Sequence, residues 1–118
     1  MCALSARRAR LVTRADFSRV YREGRRYPGD ILVLYVRPTE GGRRVGVTAG
    51  RRLGGAVVRN RAKRRLREAF WRIEPRLQGH GDVVLVARTA AAAAPFEDIM
   101  CEMEALCAAG RLLCADAT

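Results

Sequence analysis

The sequence predicts an α+β fold in which helices pack on one small mixed sheet of three to four strands. Three stretches place apolar residues at helical spacing. Three short apolar runs of strand length lie among them, and turn residues mark the joins. The order is helix, strand, strand, helix, strand, helix. At 118 residues the chain has room for one domain, and an apolar content of 49% is enough to give it a core.

Residues 1–12 hold Arg7, Arg8 and Arg10 and no periodic apolar pattern, so they are expected to form a flexible basic arm. The first helix is placed at residues 14–23, where Phe17, Val20 and Tyr21 fall at i, i+3 and i+4. Thr13 suits its N-cap and Gly24 its stop. Pro28-Gly29 marks a turn. Ile31 to Val36 is a continuous apolar run of strand length, ended by Pro38 and the Gly41-Gly42 turn. Val45 to Ala49 alternates as a second strand and is expected to form a hairpin with the first. Gly50 to Gly55 is a basic, glycine-rich connection.

From Val57 to Arg72 the helical period is clear. Val58, Ala62, Leu66, Ala69, Phe70 and Ile73 share one arc, while Arg61, Lys63, Arg64, Arg65, Arg67 and Arg72 fill the rest. The apolar arc must pack on something, which turns the cationic arc outward. Arg59 lies within the apolar arc but in the first turn, where its side chain can escape past the packed surface. Trp71 projects outward, and its periodicity alone leaves open a covering role or a stacking one. Pro75 to Gly81 reads as a loop and Val83 to Ala87 as a third strand. Ala90 to Ala94 reads as a connector. The last helix starts at Pro95, with Glu97 and Asp98 suited to its N-terminus and Phe96, Ile99, Met100, Met103, Leu106 and Cys107 as its buried stripe.

Lys and Arg number 23 against 12 Asp and Glu, a net charge of +11, and Lys63 is the single lysine. The charge is local. Residues 1–81 hold 21 cations and 6 acids, whereas residues 82–118 hold 2 and 6. Between Arg51 and Arg67 stand eight cations and no acid. A solvated helix face normally mixes signs. A one-signed patch rich in guanidinium forks points to a polyanion, which these groups bind bidentately and on whose bases they stack.

Other classes are disfavoured. No stretch approaches the roughly 18 apolar residues of a membrane span, and the arginine-rich start MCALSARRAR lacks the apolar core of an export signal. Cys2, Cys101, Cys107 and Cys114 form no C-x-x-C pair and read as reduced thiols, which suits a cytoplasmic location. His80 is the only histidine, and the acids are scattered, so neither a catalytic constellation nor a metal site is expected on the chain. What remains is a binder. Phe17 and Tyr21 share a helix face, and Tyr35 lies on the first strand. Packed together, such rings would line a groove for unstacked bases, with Arg51 and Arg52 at its edge.

The run GGAVVRNRAKRRLREAF, residues 54–70, resembles the signature of the bacterial ribonuclease P protein family. Arg59, Asn60, Lys63, Arg64, Arg67 and Glu68 occupy its R-N-x-x-K-R-x-x-R-E pattern. Phe17, Val20, Tyr21 and Gly24 match an upstream F-x-x-V-[FY]-x-x-G segment, Val33 to Tyr35 a V-L-Y strand, and Arg44 to Val47 an R-V-G-hydrophobic strand. VVLVAR at residues 83–88 and the helix from Phe96 are similar to the family's last strand and closing helix. The resemblance implies an RNA-based endonuclease that removes the 5′ leader of precursor tRNA, with Mg²⁺ held mainly by a catalytic RNA subunit. It implies that Arg59, Asn60, Arg61, Lys63, Arg64 and Arg67 bind that RNA. It also implies that Phe17, Tyr21, Tyr35, Thr48, Arg51 and Arg52 line a groove for the leader. The implied partners are the RNA subunit and precursor tRNA, with no obligate protein partner and no membrane. A left-handed crossover at the strand–arginine helix–strand unit is implied as well. Where the family has Ser and Asn, this chain has Gly50 and Gly55, which removes two polar side chains. A general or ribosomal RNA-binding protein, and more remotely a DNA-binding regulator, are the competing expectations from the arginine helix alone.

Overall fold

The computed structural model describes residues 9–10, 14–39, 42–77 and 81–110. His80, Thr13, Cys2 and Cys114, singled out above, lie outside them. In chain order the elements are β1 (Ala9–Arg10), α1 (Arg14–Glu23), β2 (Arg25–Pro28), β3 (Leu32–Pro38), β4 (Arg44–Ala49), α2 (Ala56–Ile73), β5 (Gly81–Ala87) and α3 (Phe96–Ala109). The α+β class and the alternation of helices and strands are as expected. Three longer strands, β3, β4 and β5, make the sheet's centre, and the short strands β1 and β2 extend it to five. β1 falls within the stretch read as a basic arm, and β2 within the approach to the Pro28-Gly29 turn.

The sheet order is β1-β4-β5-β3-β2, which corrects the expected hairpin. β3 and β4 are consecutive in the chain yet are not neighbours, because β5 lies between them, antiparallel to β3 and parallel to β4. The reason is the composition of β5. Val83, Val84 and Leu85 are all buried, so the strand needs cover on both faces and pairing on both edges, and it takes the centre. β3 is likewise buried over Leu32, Val33 and Leu34, while its outer edge pairs with β2.

Alternation along the strands sends side chains to two faces. Leu32, Leu34, Val36, Val83, Leu85 and Ala87 point to one, where Ala62, Leu66, Ala69, Phe70 and Ile73 of α2 and Ile99, Met103 and Cys107 of α3 complete the main core. The opposite face carries α1. Its Val20 packs on Val84, with Phe17, Tyr35 and Val86 around them. α1 stops at Gly24, whose amide donates to the Val20 carbonyl at 2.8 Å. A Cβ there would lie 2.6 Å from that oxygen and 2.8 Å from the Val36 carbonyl, so only glycine lets the chain turn into β2.

Candidate nucleic-acid interface

α2 forms because its apolar residues hold one register for four turns; its ends are weakly capped. Gly55 occupies the N-cap in an extended conformation with no side-chain hydrogen bond, and Gly54 before it has φ 133°. The first turn holds no acid. The buried set is Ala62, Leu66, Ala69, Phe70 and Ile73. Val58, expected in that set, is 37% exposed, because the packed surface begins a turn later. Arg59 is half-buried there, and its Nε has no hydrogen-bond partner within the protein.

The six residues assigned to RNA by resemblance fall where an external ligand can reach them. Arg61, Asn60 and Arg64 are exposed, and Arg59, Lys63 and Arg67 are half-buried on the flank of the packed arc. By helical geometry Arg59, Asn60, Lys63, Arg64 and Arg67 share an arc of about 140°. Among the described residues none of the five cations Arg59, Arg61, Lys63, Arg64 and Arg67 has a carboxylate partner. The helix's remaining arginines are engaged within the protein. Arg65 Nη1 donates to the Ala91 carbonyl at 3.0 Å and Nη2 to that of Ala94, fastening α2 to the connector before α3. Arg72 Nε donates to Glu68 at 3.0 Å, and its guanidinium lies 5.0 Å from the centre of the Phe96 ring. Sequence periodicity grouped Arg65 and Arg72 with the outward cations. The carbonyls that hold Arg65 and the Phe96 ring beside Arg72 come from distant segments and left no local signal, whereas Glu68 stands at i,i+4 to Arg72 and could have been read. Trp71 is half-buried and packs against the main core, so it covers that core.

On the other side of the sheet the predicted rings do meet. Phe17 and Tyr21 lie 6.4 Å apart between ring centres, and Tyr21 stands edge-on to Tyr35 at 4.9 Å. Tyr21 is 41% exposed. Partial burial, and the neighbouring Tyr35 phenol, hold its own phenol above the ordinary value, so it stays a neutral hydrogen-bond donor. Thr48 is half-buried on the same face as Tyr35. The register aligns Gly46 with Val84 and Thr48 with Val86 on one side of β5, and Tyr35 with Val84 on the other. Arg51 and Arg52 follow β4 in a 3-10 turn and are exposed, without acidic partners among the described residues.

One feature of this face went unread in the sequence. Asp82 of β5 is buried and accepts from Arg44 Nε at 2.9 Å, Arg44 Nη2 at 3.1 Å and Arg37 Nη1 at 3.3 Å. Arg44 also reaches Asp16 at 3.6 Å and Arg37 reaches Glu23 at 2.8 Å, so both ends of α1 are tied to the sheet. The hydrogen bond from Arg37 holds the Glu23 carboxyl below its usual value, and Asp82 raises the already high value of Arg44. The acids responsible are far apart in sequence, and only the sheet register joins them. Among the described residues no group of three or more His, Cys, Asp or Glu side chains could hold a metal ion, and no helix is long and apolar enough to cross a membrane.

Comparison with known proteins agrees with this geometry. The family model described as Ribonuclease P matches residues 5–110. The ribonuclease P protein component of Symbiobacterium thermophilum is 44% identical over 99 residues, covering 82% of this chain and 86% of that protein. The corresponding component of Halalkalibacterium halodurans is 35% identical over 100 residues, covering 83% and 84%. Among solved structures, the RNase P protein of Staphylococcus aureus superposes with a TM-score of 0.78 at 26% identity, covering 89% of this chain and 97% of that one. The RNase P protein of Thermotoga maritima gives 0.74 at 27% identity, covering 84% and 94%. With a family model matched over residues 5–110 and a relative 44% identical over 99 residues, this chain belongs to the bacterial ribonuclease P protein family.

Proposed function

We propose that this chain is the RNA-binding protein subunit of a tRNA 5′-processing endoribonuclease, working as a single domain in the cytoplasm. The cationic face of α2 binds the catalytic RNA subunit through Arg59, Asn60, Arg61, Lys63, Arg64 and Arg67. The trough made by Phe17, Tyr21, Tyr35, Thr48, Arg51 and Arg52 receives the single-stranded leader of precursor tRNA. The supporting observation is the division of the molecule. Five cations without carboxylate partners among the described residues lie on one side of the sheet, and three rings in contact lie on the other. Such a body binds two polynucleotide segments at once.

The chemistry is assigned to the RNA. Mg²⁺ supplies charge stabilisation and activates the attacking water when bound in such an enzyme. The described carboxylates of this chain are a poor fit to that ion: Asp82 serves two arginines and Glu68 serves Arg72. No catalytic group is assigned to the protein, whose residues bind, orient and neutralise phosphate charge. Phosphate neutralisation by exposed guanidinium groups makes assembly depend steeply on salt. Base stacking on the rings contributes about 1–3 kcal/mol per base, with little sequence preference.

Reconstitution tests this function. Protein alone should leave precursor tRNA intact. Adding the RNA subunit should give Mg²⁺-dependent cleavage that the protein enhances at low salt. Affinity of the holoenzyme should rise over the first several leader nucleotides and then level off. Cleavage by RNA-free protein would overturn the division of labour, and indifference to leader length would favour a general RNA-binding protein.

A further inference from the structure

We propose that Arg26 is a further leader-binding residue, which extends the trough beyond the rings to the free edge of the sheet. This rests on the leader-binding role of the trough proposed above. β2 and β3 are antiparallel, with Arg26 opposite Tyr35. Residues directly opposite in such a pair point to the same face and lie within reach of each other. Arg26 therefore stands beside the Tyr21–Tyr35 contact, on the face that carries α1. It is exposed, and no acid among the described residues pairs with it. β2 is the last strand on this side of the sheet, so nothing further in the sheet covers it.

The surroundings favour an anion. Arg19 and Arg22 of α1 precede Arg26 in sequence, with Glu23 the one acid between residues 19 and 26. Glu23 is already taken up by Arg37 at 2.8 Å and approached by Arg22 at 3.9 Å. At the other end of the trough, Thr48 on β4 leads into Arg51 and Arg52. From β4 through β5 and β3 to β2 is three inter-strand steps, about 14 Å. A single strand crossing the sheet beside α1 thus meets cations at both margins and rings between them. Backbone phosphates fall on the margins and unstacked bases on the rings, the arrangement expected of a sequence-tolerant single-strand site.

The alternation of β2 supplies an internal control. Arg25, one residue earlier, pairs with Val36, whose side chain belongs to the main core on the other face. Arg25 is equally exposed and equally charged but points away from the trough. Reconstituted holoenzyme carrying Arg26→Ala, Arg26→Glu or Arg25→Glu is compared with wild type on precursor tRNAs with one-nucleotide and long leaders. Arg26→Ala should weaken binding of the long-leader substrate by about threefold to fivefold and leave the one-nucleotide substrate unchanged. It should also lower the salt dependence of long-leader binding by about one unit of slope. Arg26→Glu should act more strongly, and Arg25→Glu should have little effect. Thermal melting reports whether each variant is folded. Wild-type affinity without leader-length dependence would overturn the trough itself. Leader-length dependence retained in full by both Arg26 variants would overturn this inference alone, as would equal losses in Arg25→Glu and Arg26→Glu.

Discussion

Arg44 and Asp82 stand opposite each other in the parallel pairing of β4 and β5, with Nε donating to Oδ1 at 2.9 Å. The strand that enters the cationic helix is thereby clamped to the strand that leaves it. Asp82 answers Arg37 as well, so one buried carboxylate bridges two guanidinium groups. Asp82→Asn should destabilise the fold by about 2–3 kcal/mol, less than a fully buried pair would because the Arg44 side chain is 38% exposed. Urea denaturation measures this directly, and an unshifted midpoint would refute the clamp.

Glu23 makes the attachment of α1 sensitive to acid. Its folded value lies below the ordinary one, so its contribution is complete above the unfolded value and disappears as pH falls through the folded value. Melting temperature should decline on acidification below about pH 4.5, and Glu23→Gln should reduce the decline. Parallel pH profiles in the two proteins would exclude this residue as a contributor.

Glu102 binds α3 to the turn between β2 and β3. Its carboxylate accepts from the amides of Asp30, Ile31 and Leu32 at 3.0, 2.7 and 2.8 Å. A Cβ on Gly29 would sit 2.3 Å from the same carboxylate, so the glycine makes room for it. Glu102→Ala leaves three donors without an acceptor and should destabilise by about 2 kcal/mol, and Gly29→Ala should disturb the same contact. Hydrogen exchange at residues 30–32 is the readout, with faster exchange in both variants expected.

Gly55 is an opportunity for stabilisation. Its φ of −75° and ψ of −175° suit any L-residue, and a Cβ there meets nothing within 4 Å. Gly55→Asn should supply the missing cap and restrict the unfolded chain, raising stability by about 0.5–1 kcal/mol. A melting temperature no higher than wild type would show that the amide is not recruited.

The cysteines of α3 should differ sharply in reactivity. Cys101 is exposed, whereas burial pushes the Cys107 thiol up to about 12 and keeps it protonated. At neutral pH iodoacetamide should modify Cys101 and spare Cys107 until the protein unfolds, as peptide mass mapping would show. Folding also holds this proton above pH 9, where an unfolded thiol releases it, so alkaline conditions should erode stability.

Helix positions, the strands β3 to β5 and the ring cluster were legible because each depends on a local period or composition. Phe17, Tyr21 and Tyr35 met as expected, since an i,i+4 pair and a strand aromatic need only one packing event to touch. Strand order was not legible. Val45 to Ala49 reads as a hairpin partner for Ile31 to Val36, and nothing near it in sequence announces that Val83 to Ala87 will lie between. Arg65, Asp82 and Glu102 were missed for the same reason, as their partners lie 26 to 72 residues away. Identity in the cationic arc was visible, but the engagement of Arg65 was decided by the distant carbonyls of Ala91 and Ala94, while that of Arg72 by Glu68 was within local reach.

The central place of β5 also governs when this protein becomes usable during synthesis. A nascent chain that has emerged only as far as residue 80 already carries α1, both flanking strands and all of α2, yet lacks the strip that joins its halves. The arginines then hang on an unclosed chain. Only after translation passes residue 87 can the middle close, so the cationic helix reaches its finished scaffold only once β5 has emerged.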